Sequence, residues 1–260
     1  MTAHSEAVSV YDIRAARRRL EGVARVTPML ESPLLNRAAG RRILVKAESL
    51  QITGSFKLRG AWSALSALSE EGRRAGVIAY SSGNHAQGVA HAAACLGIPA
   101  VIVMPEDAPE AKRAATEAYG AEVVLYDRAG GESREALGAG IAEARGLTLV
   151  KPYDDPRVIA GQGTAGLELA QQAREMGVTR AEVLVCCGGG GLSAGVALAL
   201  AGEAPGLRVR TVEPEGFDDV ARSLASGGVE GNRPGATTVC DAIMTPGPGE
   251  RTLPILRRLA

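Results

Sequence analysis

The chain has 260 residues, 46% apolar and 22% charged, and its 29 basic residues are balanced by 29 acidic ones. That length supports a buried core, and a net charge of zero excludes a broad electrostatic pull toward nucleic acid or anionic lipid. Aromatic residues, at 3%, are too few for a base-stacking platform, and no apolar run approaches the ~18 residues of a membrane span.

In chain order, the first ten residues lack the basic-then-apolar pattern of a leader, and a cytoplasmic protein is expected. The run RAARRRL from Arg14 to Leu20 interleaves apolar and basic positions and reads as the wet face of an amphipathic helix. A strand is expected around Ile43–Ala47, then a helix over Phe56–Glu71. Further strands are expected in GVIAYSS, PAVIVMP, AEVVLYD, LTLVKPY, AEVLVCC and LRVRTVEPE. Helices are expected over Asn84–Leu96, Pro109–Tyr119, Arg157–Met176 and Leu192–Ala201, with Gly72, Gly97 and Gly120 as left-handed caps. Alternation of short apolar strands with helices predicts an α/β protein whose parallel-rich sheets are covered by helices on both faces. Gly227–Gly249 is rich in glycine and proline and reads as ordered but irregular. The four cysteines, Cys95, Cys186, Cys187 and Cys240, form no C-x-x-C pair and read as free thiols in a reducing compartment.

Four places could carry chemistry. Lys57, in ITGSFKLRGA, falls at the head of a predicted helix, where positive potential lowers a lysine pKa. It is either a solvated surface residue or an amine nucleophile. The turn YSSGNHAQGVA, Tyr80–Ala90, follows a strand and opens a helix. Its small residues leave N–H groups for an anion, although Ser82 or Asn84 could equally be an ordinary cap. In CCGGGGLSAG, four consecutive glycines, Gly188–Gly191, lead from a strand into a helix. A turn needs one or two, and the excess suits close approach of backbone to a phosphate. In EPEGFDDVARSL, Glu213 and Asp219 could hold a hard cation with a carbonyl between them, or the acids could cap the next helix. A phosphorylated aldehyde acting on an amino acid would use the first three together.

The motifs SFKLRGA, SSGNHAQGVA, DDPRVIAGQGT and GGGGLSAG, in this order, resemble the threonine/serine dehydratase and serine racemase family of fold type II pyridoxal-phosphate enzymes. The resemblance implies a two-lobed fold, with a small lobe over 76–150 and a large lobe from 1–75 and 151–260. It implies that Lys57 links covalently to pyridoxal 5'-phosphate, Phe56 packs beside the ring and Asn84 meets its 3-hydroxyl oxygen. Gly188, Gly189, Gly190, Gly191 and the Leu192 amide would hold the phosphate. Backbone N–H groups of Ser81, Ser82, Gly83, Asn84 and His85 would hold the substrate carboxylate. In the racemase branch Ser82 is the opposite-face proton donor. Glu213, Asp219 and the Phe217 carbonyl match the family's divalent-cation site, for Mg2+ or Ca2+. The activity implied is loss of water and ammonia from a β-hydroxy amino acid such as threonine or serine. The alternatives are an amino-acid racemase, or a hydroxyaspartate or hydroxyectoine-pathway dehydratase. A homodimer is the family expectation. Members continue beyond the position of Ala260 and carry there a hydroxyl residue facing the ring nitrogen, so the expectation is either an incomplete sequence or a form that lacks part of the site and is inactive.

Overall fold

The computed structural model describes residues 8–81, 83–128, 130–232 and 235–260. Helix α1 (Val10–Leu20) opens on a capping box: Ser9 and Asp12 exchange side-chain and backbone bonds. Strand β1 (Met29–Glu31), α2 (Pro33–Ala39), β2 (Leu44–Lys46), α3 (Lys57–Ser66) and α4 (Glu70–Ala75) follow. Next come β3 (Val77–Tyr80), α5 (Asn84–Leu96), β4 (Ala100–Pro105), α6 (Glu110–Ala118), β5 (Glu122–Tyr126), α7 (Arg134–Arg145) and β6 (Thr148–Leu149). The chain continues through α8 (Pro156–Glu175), β7 (Ala181–Cys186), α9 (Gly191–Glu203), β8 (Leu207–Val212), α10 (Asp219–Ser226) and α11 (Thr252–Leu259).

Strands β5-β4-β3-β6 form one parallel sheet, β7 and β8 pair in parallel, and β1 and β2 pair antiparallel. All six residues of β4 are buried, as a continuous apolar run in a parallel sheet requires. The predicted helix over Phe56–Glu71 is two helices. Ser69 breaks it, because its side chain accepts the Gly72 N–H and starts α4 anew. Gly72 is therefore inside a helix, and Gly76, at φ 101°, follows α4 instead. Gly97 and Gly120 do adopt left-handed conformations, at φ 64° and 83°.

Helix α3 is fixed from two sides. On one side it lies on α5 in a core of Leu58, Ala61 and Leu65 against Ala86, Val89 and Ile102. Contact is closest at Gly88, where a Cβ would stand 3.1 Å from the Lys57 carbonyl carbon. On the other side it is held by a buried ion network. Arg59, 1% exposed, donates to both oxygens of Glu48 at 2.8 Å and to Glu168 at 2.6 and 2.9 Å. Lys46 donates to the same Glu168 at 2.6 Å. Paired in this way, the charges escape the penalty of isolated burial. Among the described residues, no helix is long and apolar enough to cross a membrane.

Candidate active site

Lys57 is the first residue of α3. Its Nζ donates to the Pro152 carbonyl at 2.8 Å and lies 5.3 Å from the Phe56 ring centroid. Burial pushes the amine down to about 8, and the Cys186 thiol nearby pulls it back only partly. That neighbour matters for location, since Cys186 ends β7 and only Cys187 separates it from the glycine loop. The amine is thus turned inward toward the loop, not into bulk solvent.

The loop itself shows why each glycine is there. At Gly189 a Cβ would collide with the Tyr153 ring, and Gly190, at φ 88°, has Thr252 2.8 Å from where its Cβ would be. The Gly189 carbonyl is fixed by the Thr252 hydroxyl at 2.6 Å and by the Gly249 N–H at 3.2 Å. Gly190 is the N-cap of α9 and has no side chain to cap the helix. The N–H groups of Gly188–Leu192, in the loop and first turn of α9, have no side-chain cap, and a glycine loop opening a helix is suited to a phosphate.

The turn before α5 contributes a second set of donors. Ser81 donates its own N–H to the Val103 carbonyl at 3.0 Å, and its hydroxyl accepts the Gly83 N–H at 3.1 Å. Those two backbone donors are engaged, which leaves the Asn84 and His85 N–H groups at the helix start. Asn84 is half-buried, and its side chain has no protein partner among the described residues. His85 is 3% exposed, with Nε2 2.9 Å from the Val150 carbonyl, so Nε2 carries the hydrogen. Burial, and then the nearby Lys57, push the His85 ring down to about 3, and it stays neutral. Among the described residues its Nδ1 has no partner. The Thr53 and Ser55 hydroxyls, 6% and 7% exposed in the bend that leads into Lys57, have none either. Buried polar atoms left unpaired by the protein mark where a polar ligand belongs. The inward amine, the amide nest and these orphaned atoms fit a phosphorylated aldehyde. Ser82 lies outside the described residues.

Sequence reasoning missed the segment that joins these pieces, Val150–Asp155. Val150 holds His85, Pro152 holds Lys57, and Tyr153 packs on Gly189 and Gly191. Asp154 accepts the Arg251 N–H at 2.8 Å, and Asp155 caps α8. The signal available was VKPYDDP, a strand end followed by Asp-Pro at a helix start.

Burial, and then the carboxylates of Glu213 and Asp219, push the Cys187 thiol up, so EPEGFDD lies within electrostatic reach of the glycine loop. Both oxygens of Glu213 accept N–H groups of α10, from Val220 at 2.9 Å and Ala221 at 2.8 Å. Of the acids in this motif, Glu213 is thus the one that caps α10, while Asp218 accepts from the Arg222 guanidinium at 3.0 Å. Burial pushes Glu213 up to about 7, with Asp219 and Asp218 adding to the rise. Asp219 is fully buried; one oxygen accepts from the Asn232 amide, and Oδ2 has no partner among the described residues. Phe217 is buried beside them. Among the described residues, no group of three His, Cys, Asp or Glu side chains is placed to hold a metal.

Comparison with known proteins shows the family. The family model for "Pyridoxal-phosphate dependent enzyme" matches residues 20–260. L-threo-3-hydroxyaspartate ammonia-lyase of Pseudomonas sp is 47% identical over 249 residues, covering 96% of this chain and 76% of that protein. Serine racemase of Schizosaccharomyces pombe is 44% identical, covering 95% of this chain and 74% of the relative. The solved structure of T.th. threonine deaminase superposes with a TM-score of 0.90 at 49% identity, over 97% of this chain and 80% of that one.

Proposed function

The chain belongs to the family of pyridoxal-phosphate dependent enzymes, and from that premise we propose that it is an ammonia-lyase acting on β-hydroxy amino acids. The products are a 2-oxo acid and ammonia. The observation that carries this reading is the inward amine of Lys57, tied through Val150–Asp155 to both the anion turn and the glycine nest.

In this reading the residues divide the work. The amides of Gly188–Leu192 grip the cofactor phosphate, Phe56 packs beside the ring and Asn84 meets its 3-hydroxyl oxygen. When bound, pyridoxal phosphate supplies the electron sink that makes an α-proton of an amino acid acidic. Lys57 is both covalent anchor and general base. An amine near 8 is a workable base at neutral pH, because a useful fraction is unprotonated. The Asn84 and His85 N–H groups orient the substrate carboxylate. The neutral His85 ring braces the turn against Val150 and moves no proton. Relatives with 47% and 44% identity are named as a hydroxyaspartate lyase and a serine racemase, which keeps a dicarboxylic substrate, and racemisation using Ser82, as alternatives within the same site.

The reading extends to a hard cation, Mg2+ or Ca2+, at Asp219, Glu213 and the Phe217 carbonyl. The unpaired Asp219 Oδ2 and the upward shift of Glu213 support it. It also includes a small lobe over 76–150 closing on the remainder, a homodimer, and a cytoplasmic setting in keeping with four free cysteines. The test is turnover by the reconstituted protein on threonine, serine and 3-hydroxyaspartate. Ammonia and a 2-oxo acid in equal amounts are expected. Only the opposite enantiomer, by chiral chromatography, would make it a racemase, and no turnover of any β-hydroxy amino acid would refute the lyase.

A further inference from the structure

Lys112 lies in the first turn of α6, on a different element from every residue so far given a role. Its aliphatic stem and ammonium rest on Gly83: a Cβ there would stand 3.0 Å from Cδ and 3.2 Å from Nζ. The same Nζ donates to Asp241 at 3.2 Å. Asp241 begins a short 3-10 turn whose Ile243 packs on Gly188, with its Cα 3.2 Å from where a Cβ would be. One exposed ion pair therefore spans the two anion-gripping elements, the turn before α5 and the glycine nest. The turn is marked as a ligand site independently of its helix, by the orphaned Nδ1 of the buried His85.

We propose that Lys112 is a substrate-positioning residue, parked on Asp241 in the free protein and transferred to the substrate carboxylate at the Asn84–His85 amides on binding. This rests on the proposed function of that turn. The pair suits an exchange. Its side chains are 32% and 65% exposed, and exposed pairs are weak, so a carboxylate already held by backbone N–H groups can displace Asp241. Gly83 is then required because any side chain would push Lys112 off the turn. Asp241 acts as a competitor for the ammonium, which makes the two residues oppose each other in binding.

The experiment measures binding of L-alanine, which has no leaving group, to the reconstituted holoprotein by calorimetry, alongside KM and kcat for the best substrate. Lys112→Met is expected to weaken alanine binding about fivefold and raise KM with little change in kcat. Lys112→Arg is expected to restore most of it, and Asp241→Asn to tighten binding a few-fold by freeing the ammonium. The weaker binding of L-alaninamide, which lacks the carboxylate, should be the same in wild type and Lys112→Met. Added salt should weaken alanine binding in wild type more than in Lys112→Met. Equal alanine affinities in wild type, Lys112→Met and Asp241→Asn would overturn the inference, as would the two variants shifting in the same direction. Holoprotein that binds no amino acid in any version would instead refute the proposed function of the turn.

Discussion

Lys57 and Glu213 show burial acting on two single groups with opposite consequences for stability. The Lys57 amine is lowered from 10.5 to about 8. Below about 8 it is charged in both the folded and the unfolded chain, and burial of that charge costs stability. Between about 8 and 10.5 the folded chain has lost the proton and the unfolded chain still holds it, so stability rises with pH across this window. Thermal unfolding of cofactor-free protein should therefore show a deficit relative to Lys57→Met that shrinks from pH 7.5 to 10.5; parallel curves would contradict the burial. Glu213 runs the other way. Its pKa is raised from 4.5 to about 7, so between these values the folded chain keeps a proton that the unfolded chain has released, and stability falls as pH rises. Calcium or magnesium should then raise the melting temperature more at pH 8 than at pH 6, and Asp219→Asn should abolish the gain. An equal effect in that variant would argue against a cation there. At this scale the sequence singled out the four costly glycines, since a turn needs one or two, whereas a lysine at a helix start is as readily a solvated residue and Lys57 stood out only through its motif. It was silent on Thr53, Ser55 and His85 Nδ1, whose meaning is that they lack partners, and partners are a property of the folded chain.

At the scale of elements, α3 carries the lysine on one side and Arg59 on the other. Arg59→Met would leave Glu48 and Glu168 with only Lys46 to balance them. The expected loss is about 3–5 kcal/mol in denaturant unfolding, and a loss under about 1 kcal/mol would show that the network does not anchor the helix. The loop before α9 allows a sharper test. Gly189→Ala forces Tyr153 aside and should weaken pyridoxal phosphate binding about tenfold, or 1.4 kcal/mol, while binding of pyridoxal, which has no phosphate, barely changes. Equal losses for both would place the loop elsewhere in the cofactor's contacts. Most strands and the long helices were readable from periodicity, and α5 runs over Asn84–Leu96 as expected. Helix α7 went unread because REALGAGIAEAR has two glycines and a weak apolar stripe. Its Ser133 cap and left-handed Gly146 were signals present in the chain. The split between α3 and α4 was hidden because Ser69 looks like any polar helix residue until its side chain takes the Gly72 N–H.

For the whole molecule, pattern alone left the sheet order open. Strand order β5-β4-β3-β6 depends on crossovers that period and composition do not encode. What the fold adds is convergence: the ends of β3 and β7 and the start of α3 meet at Val150–Asp155. The outward face of β7 and β8 exposes Leu184 at 64% and Val212 at 44%, among the charged Glu182, Arg208 and Arg210. A two-stranded sheet has open edges that favour association, and Leu184→Glu should lower the sedimentation-average mass at high concentration; an unchanged mass would clear this sheet. The central claim, however, concerns one covalent bond, and one measurement reaches it directly. The purified protein is mixed with pyridoxal phosphate, reduced with borohydride, digested and analysed by mass spectrometry. A yellow protein whose reduced cofactor is found on the peptide containing Lys57 is the predicted result; a protein that takes up no cofactor, or carries it on another lysine, would contradict the account.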